Sequence, residues 1–269
     1  IMSSKNILTI QTVQIAPFRT LMTALKDILL ETNITFTKEG IKIINMDKSH
    51  TMLAHMFLEA VNFELYECAL DKIIIGVNMF HLFKLINSID NDDTLTIYIE
   101  KKDYNDGVVS YLGLKFENGD IKQQKIQKLR LIEPDNEELE VPEIKFSSVL
   151  NLPSVDFQKI IRDLSCISDK IEIKATNNKL FFSGKGEICS VEFEVEESTN
   201  GLSIKSTIEN TNEIVQGLYE LKFLLIFTKC TSLCNNVLLY IKNDYPIIVS
   251  YQIMNLGDLK LVLSSSKII

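Results

Sequence analysis

Seven cations stand at helix-compatible positions along this 269-residue chain: Arg19, Lys26, Lys84, Lys159, Arg162, Lys222 and Lys229. Arg19 and Lys26, and again Lys222 and Lys229, are seven residues apart, so on a helix each pair projects from one side. Ammonium and guanidinium groups arranged in this way can touch phosphates without reading base sequence. The whole chain is acidic, with a net charge of −8, which argues against a uniformly basic surface. The distribution of charge therefore decides. A single basic helix face is ordinarily a solvated face, but four helices that all carry one in an acidic protein point to an anionic partner.

Other chemistries lack their residues. The three histidines, His50, His55 and His81, belong to no His-Glu-x-x-His motif, and neither a nucleophile elbow nor a Walker loop is present. Ser183-Gly184-Lys185-Gly186 reads as a turn between strands. Five cysteines, at 68, 166, 189, 230 and 234, fit free thiols in a reducing compartment. Cys230-x-x-x-Cys234 has no second pair or nearby histidine to complete a zinc site and reads as a buried or partly buried helix feature. No apolar run is long enough to span a bilayer. An enzyme is not expected, nor is a metal or a cofactor.

The elements that must position the cations follow from periodicity. Asn6–Val13 reads as a strand, and Phe18, Leu21, Met22, Leu25, Ile28 and Leu29 form one helical stripe. Strands are expected over 34–37, 41–45, 51–59 and 64–68, with a Glu39-Gly40 turn. A second helix spans 78–88, capped by Asn78, with Phe80, Phe83 and Ile86 inward and His81, Lys84 and Asn87 outward. Strands follow at 94–100, 108–116 and 121–131. The second half then runs through the same order. A strand over 147–152 precedes a helix from about Asp156 with Ser154 as cap. A hairpin turns at Asn177-Asn178, Glu187–Glu196 alternates, and a helix covers Leu221–Thr231. Strands close the series at 237–242, 247–254 and 259–263.

The two halves superpose at an offset of roughly 140 residues: Phe18 on Phe157, Gly76 on Gly217, Tyr98 on Tyr240. Between them, Leu129–Pro142 carries five acidic residues and two prolines without helical periodicity, and reads as an extended connector. Leu139 and Val141, two apart, would offer two apolar side chains on one side of it.

Ala24-Leu25-Lys26-Asp27, Met46-Asp47-Lys48-Ser49-His50, Gly76-Val77-Asn78, Arg162-Asp163-Leu164-Ser165, Phe227-Thr228-Lys229 and the connector core through Pro142-Glu143 resemble the proliferating cell nuclear antigen (PCNA) family of eukaryotic-type sliding clamps. The resemblance runs in order over nearly the whole chain. It implies an α+β DNA-clamp fold: two similar domains, 1–127 and 143–269, joined by a connector over 128–142, each with two helices on antiparallel sheets. It also implies a pseudo-sixfold homotrimeric ring in which the strand near Ile121–Leu129 pairs with that near Glu187–Val195 of the next subunit. All seven cations named above fall at positions that face double-stranded DNA in the family. Met46, His50, Leu53, Leu139, Val141, Phe146 and Pro246 match a hydrophobic pocket for partner peptides bearing a glutamine, an aliphatic residue and paired aromatics. The implied partners are DNA polymerase and other replication and repair proteins with such motifs, a clamp loader, and further copies of the chain. The implied place is the nucleus, or the replication compartment of a host cell if the source is viral. A subunit of a heterotrimeric checkpoint clamp and a non-encircling scaffold are the alternatives. Val262 and Ser264 replace the family's usual tyrosine and alanine, Thr176 replaces a lysine modified in the family, and Lys101–Gln127 runs longer than the family pattern.

Overall fold

In the computed structural model, residues 5–119, 122–135, 139, 144–176, 178–206 and 214–266 are described. The chain divides into two units, 1–45 with 55–140 and 253–258, and 46–54 with 141–252 and 259–269.

The first unit is built from β1 (Asn6–Thr12), α1 (Ile15–Ile28), β2 (Glu31–Thr37), β3 (Gly40–Met46), β4 (Met52–Glu59), β5 (Leu65–Cys68), β6 (Lys72–Asn78) and α2 (Met79–Ile86). It continues with β7 (Thr94–Glu100), β8 (Tyr104–Asn105), β9 (Val108–Val109), β10 (Tyr111–Asn118) and β11 (Gln123–Arg130). The second comprises β12 (Ser148–Pro153), α3 (Ser154–Ser165), β13 (Lys170–Ala175), β14 (Lys179–Lys185), β15 (Ser190–Glu196), β16 (Ser203–Ser206), β17 (Val215–Glu220), α4 (Leu221–Phe227), β18 (Asn236–Ile241), β19 (Ile247–Ile253) and β20 (Gly257–Leu263). A few residues at the ends of β3, β4, β19 and β20 fall on the other side of the division.

Sheet order makes the repeat explicit. Strands β11-β10-β7-β1-β5 and β4-β3-β2-β6 of the first unit correspond, one for one, to β20-β19-β18-β12-β16 and β15-β14-β13-β17 of the second. The residue beyond the last strand of each copy also returns to the same strand. Ile132 N–H donates to the Gly76 carbonyl at β6 (3.0 Å), and Ser266 N–H donates to the Leu218 carbonyl at β17 (2.7 Å). Each of these edges is thereby partly covered. Of the remaining sheet ends among the described residues, β5 and β16 are four residues long, which leaves β11 and β15 as the long open edges.

Helical stripes supply the cores. Phe18, Leu21, Met22, Leu25 and Ile28 of α1 are buried and pack with α2; Phe157, Ile160, Ile161 and Leu164 of α3 are buried and pack with α4. Asn78 caps α2 by accepting from the His81 N–H at 3.2 Å, as its residue type predicts. The inward face of α2 differs from expectation. Met79, Leu82 and Ile86 are buried, whereas Phe80 is 45% exposed with the Lys84 ammonium 4.4 Å over its ring. Once Met79 enters the helix, the stripe at 79, 82 and 86 fits the core, and Phe80 lies off it. Three further boundaries shift. Helix α3 starts at Ser154, which is buried, with Pro153 ahead of it. The last helix changes at Thr228 into a 3-10 segment, Thr228–Leu233. Ser183–Lys185 lies within β14 rather than in a turn.

The longer stretch after β7 holds a 3-10 turn and the β8–β9 hairpin, which the second copy lacks among its described residues. Its turn residues Asp106 and Gly107 have φ 48° and 88°, the left-handed pair that a two-residue hairpin demands. At its base the Glu100 carboxylate, 5% exposed, meets Lys5 (2.7 Å), Lys102 (2.8 Å) and Lys128 (2.7 Å), and Lys128 also reaches Asp103 (2.9 Å). The lysines, Lys102 first, then Lys128 and Lys5, hold the Glu100 carboxyl well below the usual carboxylate range, outweighing burial. A depressed folded-state pKa contributes stability that is present above the unfolded value of about 4.3 and is lost as pH falls through the folded value. Glu100→Gln should therefore lower the melting temperature at pH 7, and the gap to wild type should close as pH is taken well below 4. Thermal melts across that range check it; a gap that does not change with pH would rule out the ionic account.

Candidate nucleic-acid interface and partner site

The cations divide by their surroundings. Lys84 on α2, Lys159 and Arg162 on α3, Lys222 on α4 and Lys229 in the 3-10 segment are exposed. Lys222 lies 2.6 Å from Glu220 and 4.6 Å over the Phe223 ring, an exposed pair that water and salt readily loosen. Arg19 and Lys26 are more engaged. The Arg19 guanidinium donates to the Ile89 carbonyl just after α2, and its Nε is buried without a hydrogen-bond partner. Lys26 pairs with Asp27 at 2.7 Å and sits 4.9 Å over the Phe83 ring. Both span the α1–α2 seam, so part of their role is to fix those helices together.

The Met46–His50 motif is an acid-centred turn. Asp47 carboxylate oxygens accept from the backbone N–H of Ser49 (3.1 Å), Thr51 (2.8 Å) and Met52 (2.6 Å), and from the Ser49 hydroxyl. Burial alone would raise the Asp47 pKa, but these bonds outweigh it and the net shift is downward. The turn holds His50 exposed in the left-handed region, φ 54°. Met46, Leu53, Phe146 and Pro246 are all half-buried in the second unit, and Phe146 meets Tyr240 edge-on with ring centres 5.6 Å apart.

Leu139 belongs to the first unit. There it lines a groove of about 320 Å³ with Pro134, Asp135 and side chains of β2, β3 and β6, including Thr35, Ile44 and Ile74. Val141 lies outside the described residues, as do Ile121 and Asn177. At the substituted turn, Thr176 N–H and hydroxyl both donate to the Lys179 carbonyl, at 2.9 and 3.3 Å. Lys179 is paired with Glu194 and Glu196, and the Lys174 ammonium lies 4.9 Å over Phe181. Among the described residues no cluster of three or more His, Cys, Asp or Glu is placed to hold a metal.

The chain is thus a doubled α+β unit with cations outward on the helices of both copies, and each half matches a known family. Residues 7–138 match the family model "Proliferating cell nuclear antigen, N-terminal domain", and residues 140–266 match its C-terminal counterpart. The chain belongs to the PCNA family. Its fold is the DNA-clamp fold of that family, once per copy. Among curated relatives is a "Probable DNA polymerase sliding clamp" of Acanthamoeba polyphaga mimivirus, 34% identical over 225 residues. That alignment covers 84% of this chain and 47% of the relative, so the chain spans about half the length of the curated relative it matches.

Two features of this PCNA-family chain give no signal in sequence. Asn33 makes hydrogen bonds to Asp135, 102 residues away, and Glu100 gathers three lysines. Neither shows as a motif or a period; an Asn on a strand and a Glu at a strand end read as solvated residues.

Proposed function

We propose that this protein is a DNA sliding clamp that encircles duplex DNA as a homotrimeric ring and tethers DNA polymerase and other replication proteins. It works as a tether and not as a catalyst. The observation that carries the reading is the repetition of exposed cations on the helix pairs of both copies within a chain of net charge −8. A ring with that lining needs only weak, exchangeable phosphate contacts, because closure retains the DNA.

Head-to-tail assembly through β11 and β15 is supported by their open edges and by their charge. Strand β11 carries Lys125, Lys128 and Arg130, while β15 carries Glu192, Glu194 and Glu196. An interface between two different edges is heterologous, and it ends only when the ring closes. A partner peptide would be taken by Met46, His50, Leu53, Phe146 and Pro246 together with the connector residues Leu139 and Val141. Of the cations, Lys84, Lys159, Arg162, Lys222 and Lys229 would touch phosphates, with Arg19 and Lys26 shared between that role and the helix seam. A clamp loader would be needed to open such a ring, and the viral relative favours a replication compartment within a host cell.

Light scattering should return about three times the chain mass of 30.7 kDa. Replacing Lys84, Lys159 and Arg162 by alanine should weaken retention on duplex irrespective of sequence. The log–log salt dependence should flatten by about 0.9 for every phosphate that is no longer neutralised. The same number of lysines away from the α-helices, Lys101, Lys205 and Lys242, should matter much less. Equal effects from the two sets would sink the basic lining, and a mass of one chain would favour the non-encircling scaffold.

A further inference from the structure

The first residues of the connector are held to the sheet by a seat made from one cross-strand pair. Asn33 on β2 stands directly opposite Gly76 on β6. Gly76 has no side chain, and a Cβ there would come within 2.6 Å of the Ile132 carbonyl oxygen and 2.7 Å of that of Glu133. The connector can therefore lie against the β6 backbone, with Ile132 N–H on the Gly76 carbonyl. One residue earlier, Leu131 N–H donates to the Ser110 carbonyl, at the end of the extra hairpin, at 3.0 Å. Asn33 completes the seat: its Nδ2 donates to the Asp135 carbonyl at 2.6 Å, and its Oδ1 accepts from the Asp135 N–H at 2.9 Å. A side-chain amide here imitates the two-way pairing of a neighbouring strand.

We infer that Asn33 is a positioning residue for partner binding: its amide clasp on Asp135 sets where the connector leaves the sheet, and so where Leu139 is presented. The inference rests on the sliding-clamp reading, because it needs a peptide that docks at the connector. Asn33 is half-buried on the groove that Leu139 lines, so the clasp and the docking element share one surface. A connector without the clasp must be ordered by the incoming peptide, and that ordering cost subtracts from affinity.

The test uses the full chain and a synthetic peptide carrying a glutamine, an aliphatic residue and two adjacent aromatics. Asn33→Ala should weaken binding by about three- to tenfold, the range of one or two side-chain hydrogen bonds. The oligomer mass should stay the same, and hydrogen exchange should speed up at the Asp135 amide. Asn33→Asp keeps an acceptor for the Asp135 N–H but sets a carboxylate against its carbonyl. Its deficit relative to wild type should shrink as pH falls toward about 4, where the protonated acid regains a donor. General loosening of the unit would not recover on acidification. Wild-type binding with an unchanged Asn33→Ala affinity would overturn the role of Asn33 alone. A wild type that binds no such peptide would overturn the partner-site reading and this inference with it.

Discussion

Proline in place of Val191 should leave the protein as single chains of 30.7 kDa in light scattering, where wild type should give trimers. Val191, Phe193 and Val195 are half-buried and alternate with exposed Glu192, Glu194 and Glu196, so β15 already has one apolar face engaged and an edge left open. Val191 pairs with Gly184 of β14 on its inner side. Proline lacks the N–H and fixes φ, so the bond across the Val191–Gly184 pair is lost within the chain, and the strand is bent where the neighbouring subunit must align. The Gly184 carbonyl left without that bond costs about 1–3 kcal/mol in each chain. A closed trimer would meet the bent edge at each of its three interfaces, so assembly bears the distortion three times, on top of the cost to the single chain. Melting of the single chain should fall by the cost of that one bond, whereas assembly should be lost. A Val191→Pro protein that still sizes as a trimer would place the interface elsewhere.

Leu139→Asp should abolish most peptide binding while leaving the trimer intact. In the proposed site the aromatic pair of the peptide fills an apolar pocket and supplies most of the binding energy. A carboxylate at Leu139 would have to be desolvated against those rings, at a cost on the order of a few kcal/mol, or about a hundredfold in affinity. Leu139 lines the groove of β2, β3 and β6 and belongs to neither β11 nor β15, so the sizing result should not move. Calorimetry of the two proteins with one peptide reads the difference. Unchanged affinity would reduce the connector to a spacer, which its acidic, proline-bearing composition also fits.

The repeat and both helix pairs are legible in sequence because they rest on local periodicity. Phe18 and Phe157 mark the same place in two stripes; Gly76 and Gly217 fall on matching strands, although the structure sets Leu218, one residue on, in the place of Gly76. What sequence does not carry depends on partners far along the chain. Spacing alone puts Phe80 inward, but whether 79-82-86 or 80-83-86 faces the core is settled by α1, not by α2 itself. Apolar spacing continues the last helix through Thr231, whereas its hydrogen bonding tightens at Thr228, whose hydroxyl donates to the Leu225 carbonyl at 2.9 Å. The clasp of Asn33 on Asp135 spans 102 residues and leaves no pattern in either neighbourhood. For the candidate site, the helix cations are readable as types and spacings. That Arg19 donates to Ile89 and Lys26 pairs with Asp27 emerges only once α1 and α2 are placed together.

The shared position of the connector and the tail bears on how a doubled chain could arise. In each copy the segment after the last strand returns to the strand that leads into the second helix, at Gly76 in one and at Leu218 in the other. A fusion of two identical ancestors would thus have found its join already lying across a sheet and already hydrogen-bonded to it. Lengthening that join beyond Asp135 would disturb neither copy. The segment would then have been free to gain apolar residues and serve the proposed binding, while its first few residues stayed constrained by an older duty. Descendants of such a fusion should therefore tolerate insertions after Asp135 far better than between Leu131 and Asp135.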